Sequence, residues 1–315
     1  MGASSDGPAV EVIGLCKRYG EVVAVDDLSL SVQEGEIFGV LGPNGAGKTT
    51  TVECAIGLRS PDAGKVRLLG LDPQADRAEL REVVGVQLQS GALPDKLRVD
   101  EILELYRSFY RRPTEVDELV GALGLETKRR SYYRSLSGGQ RQRLNVALAL
   151  IGNPRIAVLD EMTTGLDPQA RRETWGLIRR VRERNVTVLL VTHLMEEAER
   201  LCDRVALIDR GRLVAIDTPA GLSARASTTK LVRFSASSPF DDAILLARPE
   251  VSSIERRGER VSVTGSGELV NAVVLALAAE GITAHGIEMD RSNLEDAFLE
   301  LTTHRQDLVA EGSLS

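Results

Sequence analysis

The stretch Gly42 to Thr50, GPNGAGKTT, follows directly on the apolar run Glu36 to Leu41, EIFGVL. A strand that runs into G-x-x-x-x-G-K-[ST] and then into a helix is the pattern of a phosphate-binding loop. Gly42, Gly45 and Gly47 let backbone N–H groups turn inward around phosphate oxygens, and the next helix adds its positive N-terminal end. Lys48 is expected to reach the β- and γ-phosphates and the Thr49 hydroxyl to bind Mg²⁺. Pro43, Asn44, Ala46 and Thr50 complete the expected nucleotide contacts.

Two more apolar runs end in polar residues. Ile156 to Leu159 meets Asp160-Glu161, and Val186 to Val191 meets Thr192-His193. Buried parallel strands read this way when ligands sit beyond their carboxyl ends. From Val10 to about Gly221 such strands alternate with helical patterns, which makes this part α/β around a mainly parallel sheet with antiparallel strands at the N-terminus. Asp160 suits Mg²⁺, held directly or through water, while Glu161 is placed to orient or deprotonate an attacking water. A lone Asp-Glu pair is more often a solvated turn, but the apolar run before it and the phosphate loop reverse that reading. A neutral His193 imidazole can hydrogen-bond a γ-phosphate or the water. His285 and His304 match no metal-ligand spacing and read as surface or packing residues.

Between Val99 and Arg134 strand signals vanish, and Ile102 to Tyr110 and Glu115 to Leu123 read as helices parted by Pro113. They belong to a helical subdomain expected over about residues 90–150. Its end carries Leu136 to Gln140, LSGGQ, ahead of the helix former run Arg141 to Leu150. Ser137, Gly138 and Gly139 make a second helix start suited to a phosphate, and an ordinary N-cap with glycines is the alternative.

GPNGAGKTT, LSGGQ, IAVLDE and the histidine after VLLVT, in this order, resemble the ATP-binding cassette family over roughly Val10 to Gly221. The resemblance implies ATP and Mg²⁺ as ligands, Tyr19 stacked on adenine, and Gln89 touching both Mg²⁺ and the water. Gln89 is chosen over Gln87 because the helical subdomain begins soon after it. Gly165-Leu166-Asp167 takes the D-loop position. In this family Ser137, Gly138, Gly139 and Gln140 close on the nucleotide of a partner copy, so the resemblance implies a homodimer with two sandwiched ATP molecules. Met162 stands where the family usually has proline, and either loosens Glu161 or simply packs.

Past Ser223 to Ser227, read as the boundary, the pattern restarts. Leu231 to Ser235, Phe240 to Ala247, Val251 to Glu255, Arg260 to Thr264, Glu268 to Ala279 and Ile282 to Glu288 read as strand, helix, strand, strand, helix, strand, a small α+β ferredoxin-like domain. A last helix carries Leu294, Ala297, Phe298 and Leu301 on one face, with Ser292 and Glu295 spaced as a capping box. The expected layout is a disordered lead-in over 1–8, the cassette over 9–222, the accessory domain over 228–305 and a disordered tail over 306–315. LEDAFLELT, Leu294 to Thr302, together with GLDP and THLMEEAERLCDRV, resembles the bacterial ABC-2 exporter ATPases of the daunorubicin-resistance type. That resemblance implies a separate membrane permease as partner. An importer ATPase and a soluble, non-transport ABC ATPase are the rival readings.

The 315 residues are 43% hydrophobic and 27% charged, ordinary for a globular chain. A net charge of −7 argues against broad nucleic-acid binding, so no nucleic acid is expected. Lys128, Arg129, Arg130 and Arg134, with Tyr132 and Tyr133, read as a solvated face. Three scattered cysteines fit a reducing compartment. The longest apolar stretch, Ala272 to Ala279, is too short to span a bilayer, and Met1 to Val10 lacks a signal core. The expected location is cytoplasmic, peripheral on the inner face of the cell membrane.

Overall fold

The computed structural model describes residues 7–88, 93–226, 230–258, 260–290 and 293–302. The chain divides into two compact units, Met1–Pro219 and Ala220–Ser315.

In chain order the first unit contains β1 (Val10–Tyr19), β2 (Val22–Val32), β3 (Ile37–Leu41), α1 (Lys48–Ala55), β4 (Ala63–Leu68), α2 (Arg77–Val83), β5 (Val84–Gln87), α3 (Val99–Arg107), α4 (Val116–Ala122) and α5 (Gly138–Leu150). It continues with β6 (Ile156–Asp160), α6 (Pro168–Glu183), β7 (Thr187–Thr192), α7 (Met195–Leu201), β8 (Arg204–Asp209) and β9 (Arg212–Asp217). A six-stranded sheet has the order β5-β6-β7-β3-β8-β9, parallel throughout except for the β8/β9 hairpin. An antiparallel sheet, β2-β1-β4, supplies a second layer, and residues from both sheets join one apolar core. Every residue of β3, β6 and β7 is buried, which is why these strands read as unbroken apolar runs rather than alternating ones.

Local signals account for the helix ends. Asp167 caps α6, its Oδ1 accepting from the N–H groups of Gln169 and Ala170, both at 2.9 Å, and Pro168 takes the first helical position, where its missing N–H costs nothing. Thr174, Trp175, Ile178 and Val181 form the buried stripe of that helix. Helix α3 begins at Val99, earlier than its apolar stripe suggests, because Glu101 reaches back to the Arg98 N–H at 2.7 Å.

The second unit contains α8 (Pro219–Ala226, its first residue closing the preceding unit), β10 (Lys230–Ala236), α9 (Ala243–Leu246), β11 (Val251–Arg257), β12 (Arg260–Gly265), α10 (Leu269–Ala279), β13 (Ala284–Asp290) and a last helix, α11, over 294–302. Its sheet is antiparallel in the order β11-β12-β10-β13, the split arrangement of a β-α-β-β-α-β unit. Val232, Phe234, Val263, Val273 and Leu277 are at its core.

Two local readings change. The small residues expected as a boundary at Ser223 to Ser227 continue a helix as far as Ala226, since Pro219 is pre-organised for a first turn and Ala, Leu and Arg sustain it. The helix expected from Phe240 is a single turn, because Phe240 is spent on packing: its ring lies 6.2 Å from Phe234 and 4.3 Å below the Arg256 guanidinium. At α11 Asn293 and Asp296 cap reciprocally, with backbone-to-side-chain bonds of 2.9 and 3.1 Å, while the expected Ser292 and Glu295 box falls on Ser292, outside the described residues. Ser292, His304, the lead-in over 1–6 and the tail over 306–315 lie outside the described residues. No described helix is long and apolar enough to cross a membrane.

Candidate functional site

The site is built by three neighbouring strands that end level. In the order β6-β7-β3, Leu41 pairs with Thr192 and Asp160 pairs with Val191. Because all three run the same way, the loop after Leu41, the Asp160-Glu161 pair and Thr192-His193 emerge on one edge of the sheet.

The loop after β3 depends on backbone freedom at two glycines. A Cβ on Gly42 would sit 2.1 Å from the Ile208 carbonyl oxygen. Gly47, which starts α1, has φ +97°, and a Cβ there would sit 2.3 Å from the Ala24 carbonyl oxygen. Helix α1 has neither a side-chain cap nor an acidic residue in its first turn, so its free N–H groups face the loop. Lys48 is buried, and its Nζ donates to the carbonyls of Gly42 at 2.9 Å and Pro43 at 3.0 Å. Burial pushes its ammonium below the ordinary lysine range, while the charges of Glu161 and then Asp160 oppose that shift. Asn44, Gly45 and Thr49 are exposed, Thr50 is half-buried, and Ala46 is buried with its carbonyl accepting from Gly211 N–H at 2.9 Å.

Asp160 is 3% exposed, and its Oδ1 is buried without a hydrogen-bond partner. Its carboxyl is pushed up to about 6, first by burial and then by the charge of Glu161, against the pull of Lys48. An orphaned carboxylate oxygen beside a lysine is what a bound cation would complete, so the donor set fits Mg²⁺. Glu161 has φ +48°, a left-handed backbone that costs energy in a non-glycine residue. Its N–H bonds to the Val191 carbonyl at 2.9 Å, and its Oε1 lies 3.2 Å from His193 Nδ1. Met162 is fully buried, with Gln142 Nε2 at 2.9 Å from its sulfur, so the residue in the usual proline position is used for packing.

The remaining expected residues occupy other parts of the first unit. Tyr19, at the end of β1, is 41% exposed, with Lys17 Nζ and the Arg59 guanidinium 5.7 and 5.4 Å from its ring centre. Ser137 caps α5 and accepts from Gln140 N–H at 3.3 Å, while the Gln140 side chain accepts from Ser137 N–H at 3.0 Å. Gly138 and Gly139 lie against Leu166 and Ala170, so LSGGQ rests on the turn that leads to Asp167. Gln89 lies outside the described residues, and the Gln87 amide donates to the Leu88 carbonyl at 2.8 Å. Sequence reasoning passed over Thr163, Trp175 and Glu197, which bond to one another beneath the Glu161 turn; the one signal for them was a carboxylate, Glu197, on the buried face of α7.

The ABC transporter family model matches residues 25–164. Nod factor export ATP-binding protein I of Ralstonia nicotianae is 40% identical across 94% of both chains. A daunorubicin resistance ATP-binding protein of Streptomyces coeruleorubidus is 37% identical, covering 93% of this chain and 96% of its own length. The chain belongs to the ABC transporter family. Its cassette also resembles a solved ATP-binding cassette dimer in a post-hydrolysis state with ADP and Pi, at 27% identity and TM-score 0.59 over 66% of this chain and 98% of that one. A Clostridium perfringens cassette that is part of an ABC transporter complex gives TM-score 0.63 at 25% identity over 70% and 92%. As an ABC ATPase, the protein binds and hydrolyses ATP.

Proposed function

We propose that this cassette is the ATP-hydrolysing subunit of an ABC-2 type exporter, acting as a homodimer beneath a separate membrane permease on the inner face of the cell membrane. The carrying observation is the level edge that brings Lys48, Asp160, Glu161 and His193 together. The export direction rests on relatives named for Nod factor export and daunorubicin resistance across nearly the whole chain, the second unit included.

In this reading Gly42 to Thr50 wraps the phosphates with backbone N–H groups, and Lys48 turns from the loop carbonyls to the β- and γ-phosphates. Thr49, Asp160 and Gln89 would hold Mg²⁺, which when bound neutralises charge on the phosphate oxygens. Glu161 accepts the proton of the attacking water, and His193, braced on Glu161, donates to the γ-phosphate. Tyr19 stacks on adenine, with Arg59 and Lys17 near its ring. Ser137, Gly138, Gly139 and Gln140 bind the γ-phosphate held by the partner copy, and Asp167 faces that copy at the end of the D-loop. Substrates of lipid-like or antibiotic type are then selected by the permease.

Glu161→Gln tests this directly. The variant should lose ATPase activity by about 100-fold or more while forming an ATP-dependent dimer on size exclusion. A variant that stays monomeric at saturating ATP, beside an active wild type, overturns the sandwich.

A further inference from the structure

The buried turn that carries Glu161 needs something to hold it. A left-handed backbone at a non-glycine residue persists only where its surroundings over-determine it. One tether is the Glu161 N–H on the neighbouring strand. A second lies two residues on, where the hydroxyl of buried Thr163 donates to Glu197 Oε1 at 2.9 Å. The same oxygen accepts from Trp175 Nε1 at 3.0 Å. Glu197 stands on α7, four residues past His193, and is fully buried, yet its other oxygen, Oε2, has no partner. Burying a carboxylate with an oxygen unmatched is unfavourable, and an apolar side chain would pack there without that penalty.

One acceptor atom therefore joins three elements. Thr163 belongs to the Glu161 turn, Trp175 to the helix capped by Asp167, and Glu197 to the helix that follows His193. We propose that Glu197 is a positioning residue for hydrolysis: through Thr163 it fixes the Glu161 turn, and through α7 it sets His193 at its 3.2 Å contact with Glu161. The inference rests on the reading that Glu161 and His193 act on the attacking water. What it adds is a single buried acceptor that keeps both in register. The acceptor oxygen carries the role, not the charge.

Thr163→Val keeps the shape and removes only the hydroxyl, so kcat should fall about 10- to 100-fold while KM for ATP stays within about twofold. Thr163→Ser, which restores the hydroxyl, should recover most of that loss. Glu197→Gln retains an oxygen for both donors and should stay within about threefold of wild type, whereas Glu197→Leu should match Thr163→Val. Trp175 is the only tryptophan in the chain, so its emission reports the tether: it should shift in Glu197→Leu and hold in Glu197→Gln. If Thr163→Val and Glu197→Leu, folded as judged by native melting, keep wild-type kcat while Glu161→Gln is inactive, the positioning role is wrong and the catalytic reading stands. An active Glu161→Gln overturns both. Loss of activity that tracks only loss of folded protein, without rescue by serine or glutamine, also overturns the positioning role.

Discussion

Helices α1 and α5 both begin at glycine-rich loops assigned to phosphate, yet they are built differently. Helix α1 has no side-chain cap, and its start is held by glycine geometry, with the Lys48 ammonium folded onto the loop's own carbonyls. Helix α5 satisfies its own first N–H groups through Ser137 and Gln140. The two share one omission. Elsewhere in the cassette, α2, α3, α4 and α7 carry acids in their first turns and α6 is capped by Asp167, but α1 and α5 have no acid in either place. A carboxylate there would compete with a phosphate for the positive end of the helix. In the sandwich we propose, the difference separates a loop shaped for one chain's own nucleotide from a helix start that is stable alone and exchanges its cap for a ligand brought by a partner.

The sharpest way to break this contrast is at the lysine. Lys48→Ala should lower ATPase activity about 100- to 1,000-fold and weaken nucleotide binding to a single chain, measured by titration with a fluorescent ATP analogue. A variant that still binds normally would mean the α1 loop is not the primary site.

Asp160 gives the next largest effect, through pH. Its folded value, about 6, lies above the ordinary 3.8, so the folded state holds the proton more tightly between those limits. Its favourable contribution is therefore present below about pH 4 and lost as pH climbs through about 6. Asp160→Asn should stabilise the nucleotide-free protein by up to about 3 kcal/mol at pH 8 and hardly at all near pH 4, read from urea unfolding. An equal gain at both pH values would remove the electrostatic account.

The smallest of the three effects falls on the second helix. Ser137→Ala should leave ATP binding to one chain unchanged and lower dimer ATPase activity about 10- to 100-fold, the worth of a hydrogen bond to a charged group. It should also cost about 1 kcal/mol of stability from the lost cap. If activity falls no further than that loss of stability explains, Ser137 is only a cap.

Much of this was legible because the chemistry sits on strands that are buried throughout. EIFGVL, IAVLD and VTVLLVT announce themselves by composition, and each hands over to its functional residues without a gap. The reciprocal cap of Asn293 and Asp296 was passed over because a Ser-x-x-Glu spacing overlaps it one residue earlier in the sequence. The Thr163, Trp175 and Glu197 cluster was not legible, because its members stand 34 and 22 positions apart and no local rule links them. Nor does a sequence state that Glu161 adopts a left-handed backbone, with its N–H held by the Val191 carbonyl of the neighbouring strand.

The level ends of β6, β7 and β3 also limit how this protein can change its length. Side chains alternate faces along a strand, so deleting one residue from β7 would slide Leu194 into the place of His193 and turn the β7 side chains beyond the deletion to the opposite face. Insertions should therefore be tolerated between α3 and α4 at the exposed residues 111–112, which bear no part of the site, and rejected within these three strands. A library of single-residue insertions, scored for ATP hydrolysis, would trace the edge of the sheet as three short silent gaps.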